Sequence, residues 1–255
     1  MLCAVLESDN DRVTAFSALK DQAPFLCPEC KEKVILRKGI KRIHHFAHKP
    51  PVTCQYGTGE TEAHRLCKIS IYEHLVKKPN VRNPALERYM KTVRPDVSAR
   101  ISDVPVAIEV QISNLPIDTV VHRTQEYTRR GIYILWLAQW DPSLDSGQYS
   151  PSLWERWLHA AYLGRIYYWK EGLSVIPYHM APFLSYVEER EWRSESSGGY
   201  WRTSKRFKTP IRGRTIEITS DFLMAEKDEW RGGSIYVPRR KIFLDKFGKP
   251  MPSDK

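Results

Sequence analysis

Seven consecutive apolar residues, 132–138 (IYILWLA), constrain this chain more than any other feature. An unbroken run of that kind is expected for a strand buried on both faces. It follows PIDTVVHRTQEYTRR (116–130), which reads as a helix. Pro116 stands in its first turn, Asp118 lies near the positive end of the dipole, Arg129 and Arg130 lie at the other end, and Gly131 closes it. Upstream, VPVAIEVQIS sets β-branched residues at alternate positions, as a strand does, and ISDVP has turn chemistry, so 94–112 reads as a hairpin. Further upstream, ETEAHRLCKISIYEHLVKK spaces Ala63, Leu66, Ile69, Leu75 and Val76 at helical intervals. Thr58 is the expected N-cap of that helix and Pro79 its stop. Helix, hairpin, helix and strand predict an α/β core of mixed β-sheet flanked by helices.

Different material lies on either side. Residues 1–57 are short alternating runs broken by Pro, Cys and Gly, with VILRKG (34–39) as half of a hairpin turning at Gly39. Beyond Trp140, DPSLDSGQYSPS reads as a loop, WERWLHAAYLGR as a short amphipathic helix, and IYYWKEGLSVIPYHMAP as a small hairpin. Residues 193–214 join a flexible Ser/Gly stretch to a segment with no acid from Trp201 onward, rich in Lys and Arg. Three units are expected: an N-terminal module at 1–57, the core at 58–140, and a basic, aromatic-rich α+β extension at 141–255.

A hydrophobic content of 42% over 255 residues excludes a wholly disordered chain. No run approaches the ~18 apolar residues of a membrane span. The opening MLCAVLESDNDR lacks a positive n-region and meets acids at once, so a cytoplasmic protein without a membrane partner is expected. A formal net charge of +10 suggests a polyanionic partner.

The five cysteines are odd in number and irregular in spacing, which disfavours a disulfide framework. CPEC places Cys27 and Cys30 on a turn from which two thiolates can reach one ion, and HHFAH (44–48) and Cys54 follow. Cys27, Cys30, His48 and Cys54 fit a closed structural Zn²⁺ site, with His45 as the competing nitrogen ligand.

Acidic and polar residues gather in the core. Glu60, His64 and Lys68 are spaced i, i+4, i+8 and would share one helix face. Glu109 and Gln111 leave the same face of their strand, and Asp96 stands where the first strand of the hairpin begins. If the hairpin forms, Asp96 and Glu109 converge, and two such carboxylates are the usual oxygen ligands of Mg²⁺. An edge strand with ordinary alternation would show the same Glu-x-Gln pattern. Arg123 and Tyr127, i, i+4 on the next helix, suit phosphate contacts, and equally an arginine capping the sheet with a tyrosine packed on it. Trp136 reads as core.

CPEC…HHFAH…C, then ETEAHRLCK, RPDV, IEVQIS, HRTQEY and YILWL, in that order, resemble the competence protein CoiA-like family. The likeness runs over about residues 1–140. It implies a PD-(D/E)XK nuclease-like fold with Asp96 as the motif aspartate and Glu109 as the motif glutamate. Gln111 then stands where the general motif has lysine, as in some other members of that superfamily, and Lys68 or the metal could supply the missing cation. The resemblance also implies work on incoming or foreign DNA, in competence or in phage defence.

The leading expectation is a metal-dependent DNA endonuclease or DNA-processing enzyme using Mg²⁺ or Mn²⁺. Asp96, Glu109 and Glu60 would be the metal ligands, with Gln111, His64 and Lys68 also in the catalytic group. Arg123, Tyr127, Arg202, Lys205, Arg206 and Lys208 would contact DNA, with Trp201 and Phe207 available for stacking. The alternatives are a non-cleaving DNA-binding protein with a degenerate core, and an interaction subunit of a larger DNA-processing or defence complex. Self-association is a further expectation.

Overall fold

The computed structural model describes residues 1–40, 42–54, 56, 59–112, 115–188 and 199–252. The first five strands are β1 (Cys3–Leu6), β2 (Arg12–Thr14), β3 (Phe25–Leu26), β4 (Lys33–Arg37) and β5 (His45–His48). They form their own antiparallel sheet in the order β2-β1-β3-β4-β5. In β4 the burial alternates strictly, with Val34 and Leu36 inside, because a half-buried strand sends alternate side chains to opposite faces. These two pack with Phe25 and Phe46 in a small core separate from the main one. The hairpin expected from 34–39 is the β4–β5 pair.

Helix α1 (Glu62–Val76) then begins the larger unit. Its N-cap is Thr61, whose hydroxyl accepts from the His64 N–H at 3.2 Å. The expected cap, Thr58, lies outside the described residues. The shift leaves Glu60 ahead of the helix rather than on its face.

Strands β6 (Val81–Leu86), β7 (Val97–Ile101) and β8 (Val104–Gln111) form an antiparallel meander. β7 and β8 are joined by Ser102 and Asp103, both at positive φ (46° and 66°), the conformation of the primed turns that match strand twist. Helix α2 (Ile117–Arg129) follows, with Pro116 at its N-cap rather than inside its first turn. Gly131 (φ 70°) takes the left-handed position beyond its end, as predicted. β9 (Tyr133–Gln139) runs parallel to β8 and is fully buried up to Ala138. So β8 is an interior strand, not a solvent-facing edge. Trp136 is in the core.

Across the loop after Trp140 the sheet continues. Helix α3 (Leu153–Ala161) precedes β10 (Ile166–Glu171), β11 (Ser174–Glu188) and β12 (Gly199–Arg212). β10 pairs in parallel with β9, and β11 and β12 extend the sheet beyond it. β13 (Ile216–Glu217) pairs with β11, and β14 (Phe222–Lys227) leads to a small β15 (Trp230–Gly232)–β16 (Ile235–Val237) ribbon. β17 (Arg240–Asp245) pairs with β14 and touches β9 in parallel. The result is one ten-stranded mixed sheet: seven strands run from β6 to β12 with β9 in the middle, and β13, β14 and β17 join beside them. The expected boundary at 140/141 is therefore a loop that the sheet spans. The basic segment from Trp201 to Arg212 is strand; the stretch 193–198, expected to be flexible, lies outside the described residues. Among the described residues no helix is long and apolar enough to cross a membrane.

Candidate functional site

The N-terminal sheet ends in a cluster. One ligand atom each from Cys27, Cys30, His48 and Cys54 all lie within 4.8 Å of one another, and Cys30 Sγ is 3.3 Å from His48 Nε2. Tetrahedral zinc–sulfur bonds place ligand atoms about 3.8 Å apart, so three thiols and one imidazole at this spacing suit zinc. Lys31 (φ 63°) turns the knuckle so that both CPEC thiols meet at the cluster, Cys27 buried and Cys30 exposed. His45 does not compete: its Nδ1 pairs with the Ile43 carbonyl at 2.8 Å, and it is three residues from His48, on the other face of β5. This cluster could hold one zinc ion.

A cleft of about 920 Å³ lies between this module and the large sheet, lined among others by Glu60, His64, Lys68, Glu87, Asp96, Gln111 and Arg123. Asp96 directly precedes Val97, which pairs with Ile108, so the hairpin brings Asp96 beside Glu109 and Val110. Asp96 Oδ2 accepts from the Val110 N–H at 2.9 Å and pairs with His64 Nε2 at 3.1 Å. Burial would raise its pKa, but Lys68 and the bond from His64 hold it well below the carboxylate range. For His64 the same bond outweighs burial, which would lower its pKa, and the net shift is upward.

Lys68 is the hub. Its buried ammonium is paired with Glu60, with Glu87 Oε1 at 2.6 Å, and with Asp96 Oδ1 at 3.6 Å. Burial disfavours its charge, and the three carboxylates overcome this and raise its pKa. Glu60 is held on its other side by the Met1 amino nitrogen and by Arg65 Nε, each at 3.0 Å. Both of its oxygens are thus engaged by cations. Expected as a metal ligand, Glu60 is placed here as an anchor for Lys68.

Glu87 is the residue that sequence reasoning missed. It sits just past β6 at φ 47°, a strained backbone for a non-glycine residue. Its Oε2 accepts from the Leu2 and Cys3 N–H groups at 2.9 and 3.2 Å and from the Tyr56 hydroxyl. Arg94 stacks on Tyr56 at 3.7 Å and pairs with Glu29 of the knuckle at 3.0 Å. The N-terminal module is therefore tied to the cleft through Glu87 and Arg94.

Glu109 is completely buried. Its Oε1 accepts from the Tyr127 hydroxyl at 2.5 Å and pairs with Arg123, while Oε2 has no hydrogen-bond partner. Burial raises its pKa to about 7 against the pull of Arg123. Arg123 also donates to the Arg94 carbonyl at 3.0 Å and lines the cleft. Tyr127, expected to touch nucleic acid, is fully buried; four residues from Arg123 on α2, it faces the strand instead and orients Glu109. Gln111 lines the cleft from the same strand as Glu109. On β12, Arg202, Lys205 and Arg206 are exposed and Lys208 is half-buried. They are not among the residues that line this cleft.

Two family models match in sequence order: the N-terminal domain of competence protein CoiA over residues 8–57, and its nuclease-like domain over residues 60–155. The chain belongs to the competence protein CoiA-like family. Competence protein CoiA of Bacillus subtilis (strain 168) is 33% identical over 116 residues, which is 44% of this chain and 31% of that protein. The match thus spans about a third of the relative's length. No solved structure matches the chain. In this CoiA-like protein the cysteine cluster falls in the N-terminal domain, and Glu60, Glu87, Asp96 and Glu109 fall in the nuclease-like domain. The elements from α3 onward lie almost entirely beyond both matches.

Proposed function

We propose that the cleft is a metal-dependent nuclease site that hydrolyses phosphodiester bonds of DNA. The observation that carries this reading is the convergence of Asp96 and Glu109 on adjacent strands, with Glu109 Oε2 buried and without a hydrogen-bond partner. A buried carboxylate oxygen left unpaired is costly unless a cation completes it. Asp96 and Glu109 would hold Mg²⁺ or Mn²⁺. Such an ion supplies an activated water and offsets the charge that builds on phosphorus.

The chain's own side chains do the rest. Lys68, locked by three carboxylates, positions Asp96 and keeps it ionised, and His64 holds the same carboxylate from the cleft side. Arg123 neutralises charge beside Glu109 and faces the space where a phosphate would lie. Gln111, in place of a lysine, offers a neutral amide that can orient a water or a phosphate oxygen. Arg202, Lys205, Arg206 and Lys208 would follow the DNA backbone away from the cleft. By the name of its Bacillus relative, the DNA would be incoming or foreign strands in competence; phage defence is the other setting in which foreign DNA is cut.

A second reading is a CoiA-like protein that binds DNA without cutting it. The engagement of Glu109 Oε1 by Arg123 and Tyr127 favours it, since that oxygen is already spent. Incubating the full chain with supercoiled, linear and single-stranded DNA, with Mg²⁺, Mn²⁺ or chelator, separates the two. Nicked or shortened products that vanish with chelator support the nuclease. Intact DNA retained by the protein in the Mg²⁺ and Mn²⁺ arms supports the second reading.

A further inference from the structure

A second cavity, of about 670 Å³, lies between α3, the β11–β12 ribbon and the turn from β14 to β15. Its floor is apolar, formed by Ala160, Leu163, Met180 and Ile235, and Trp230 stands at its wall. That volume is in the range of sites that enclose a small ligand.

Three observations describe what would fit. The first is Arg240, which is 2% exposed. Its Nε donates to the Ala161 carbonyl at 2.9 Å, and its Nη1 donates to the Asp228 and Pro238 carbonyls at 2.9 and 3.3 Å. Among the described residues no carboxylate pairs with it. A buried charge without a counter-ion is unfavourable, so an anion in the cavity would be strongly rewarded.

The second is the surrounding charge. Arg156, Lys205, Lys208 and Lys227 line the same space, against two acids, Asp228 and Glu229. Glu229 is engaged by the Tyr236 hydroxyl at 3.3 Å. Lys205 reaches the cavity because β12 bulges: Lys208 pairs with Pro182 and Thr203 with Leu184, which leaves residues 204–207 opposite Phe183 alone. Guanidinium and ammonium groups gathered in this way suit a phosphate.

The third is Trp230, which is 47% exposed. Its ring lies against Gly232, where a Cβ would fall 2.2 Å from the ring, so only glycine allows this placement. A tryptophan backed on one side and open on the other is a stacking platform for a planar group.

We propose that this cavity binds a nucleoside phosphate, with the base on Trp230 and the apolar floor and the phosphate on Arg240, Lys205, Lys208 and Lys227. A free nucleotide and the phosphorylated end of a DNA strand share this chemistry. The site is separate from the carboxylate cleft, and its existence does not depend on whether the cleft cuts DNA.

Isothermal titration of the full chain with dAMP tests it, alongside inorganic phosphate and a short thymidine oligonucleotide with and without a 5′-phosphate. One saturable dAMP site is expected, with inorganic phosphate at least ten-fold weaker. Trp230→Ala and Lys227→Ala should each weaken dAMP at least five-fold, with circular dichroism confirming that both variants fold. Asp96→Asn should leave dAMP affinity unchanged, which keeps this result apart from the cleft. Displacement of dAMP by the phosphorylated oligonucleotide, and not by the unphosphorylated one, assigns the site to a strand end. Failure of both oligonucleotides to displace dAMP assigns it to the free nucleotide. If neither dAMP nor the phosphorylated strand binds saturably, or if both cavity variants bind as the wild type does, the proposal is overturned.

Discussion

At Lys68 one buried ammonium is shared among Glu60, Glu87 and Asp96. Lys68→Met would leave three carboxylates around an apolar side chain, and loss of one partner from a buried ion cluster costs about 3–5 kcal/mol. Urea unfolding should show a loss of that size. Glu87 sets a pH limit. Burial would raise its pKa, but Lys68 overrides this and holds it at about 2, against an ordinary 4.5. The native state therefore binds fewer protons than the unfolded chain. The stabilisation is complete above about pH 4.5 and lost as pH falls toward 2, amounting at most to about 3 kcal/mol. Thermal melts between pH 2 and 6 should fall steeply for the wild type. Glu87→Gln should be less stable at pH 6 and show a flatter acid limb. Asp96, Glu109, His64 and Lys68 were legible in the sequence because strand alternation and helix spacing align them. Glu87 was not, since it follows a strand in a left-handed conformation and its partners come from Leu2, Tyr56 and α1.

Among the elements, the β7–β8 turn carries a removable strain. Ser102 and Asp103 both sit at positive φ, which Asn-Gly adopts more readily. Replacing the pair with Ser102→Asn and Asp103→Gly should raise stability by about 1 kcal/mol in denaturant unfolding, without altering the cleft. The N-terminal sheet has only a small apolar core, so the cysteine cluster is expected to supply much of its folding free energy. Elemental analysis should find one zinc per chain, and a strong chelator or Cys27→Ser should yield poorly soluble protein. Because Glu29, Arg94 and Tyr56 tie that module to Glu87, metal removal should also disorder the cleft. Helix and hairpin positions could be read from periodicity. The cap at Thr61 and the strand character of 201–212 could not, because an Ncap depends on where the chain enters the helix. β12 owes its form to pairing with β11.

Across the whole molecule, β10 and β17 both lie against β9, which local periodicity cannot reveal because the pairing partners are distant in sequence. Arg165 and the Tyr167 hydroxyl bind Asp245 at 2.8 and 2.6 Å, closing β10 against β17. A chain cut at residue 140 would expose a long apolar strand edge, so the fragment should aggregate on expression while the full chain stays in solution. The core order of helix, hairpin, helix and strand was legible because each element carries its own periodic signal.

If Asp96 and Glu109 form a cation-dependent hydrolytic site, the cleavage rates of two near-isosteric variants will report it. With Mn²⁺ and a DNA substrate that the wild type cuts, Asp96→Asn and Glu109→Gln should each lower the rate by several orders of magnitude while DNA affinity is retained. Cleavage by both variants at the wild-type rate would mean that these two carboxylates do not hold the hydrolytic cation.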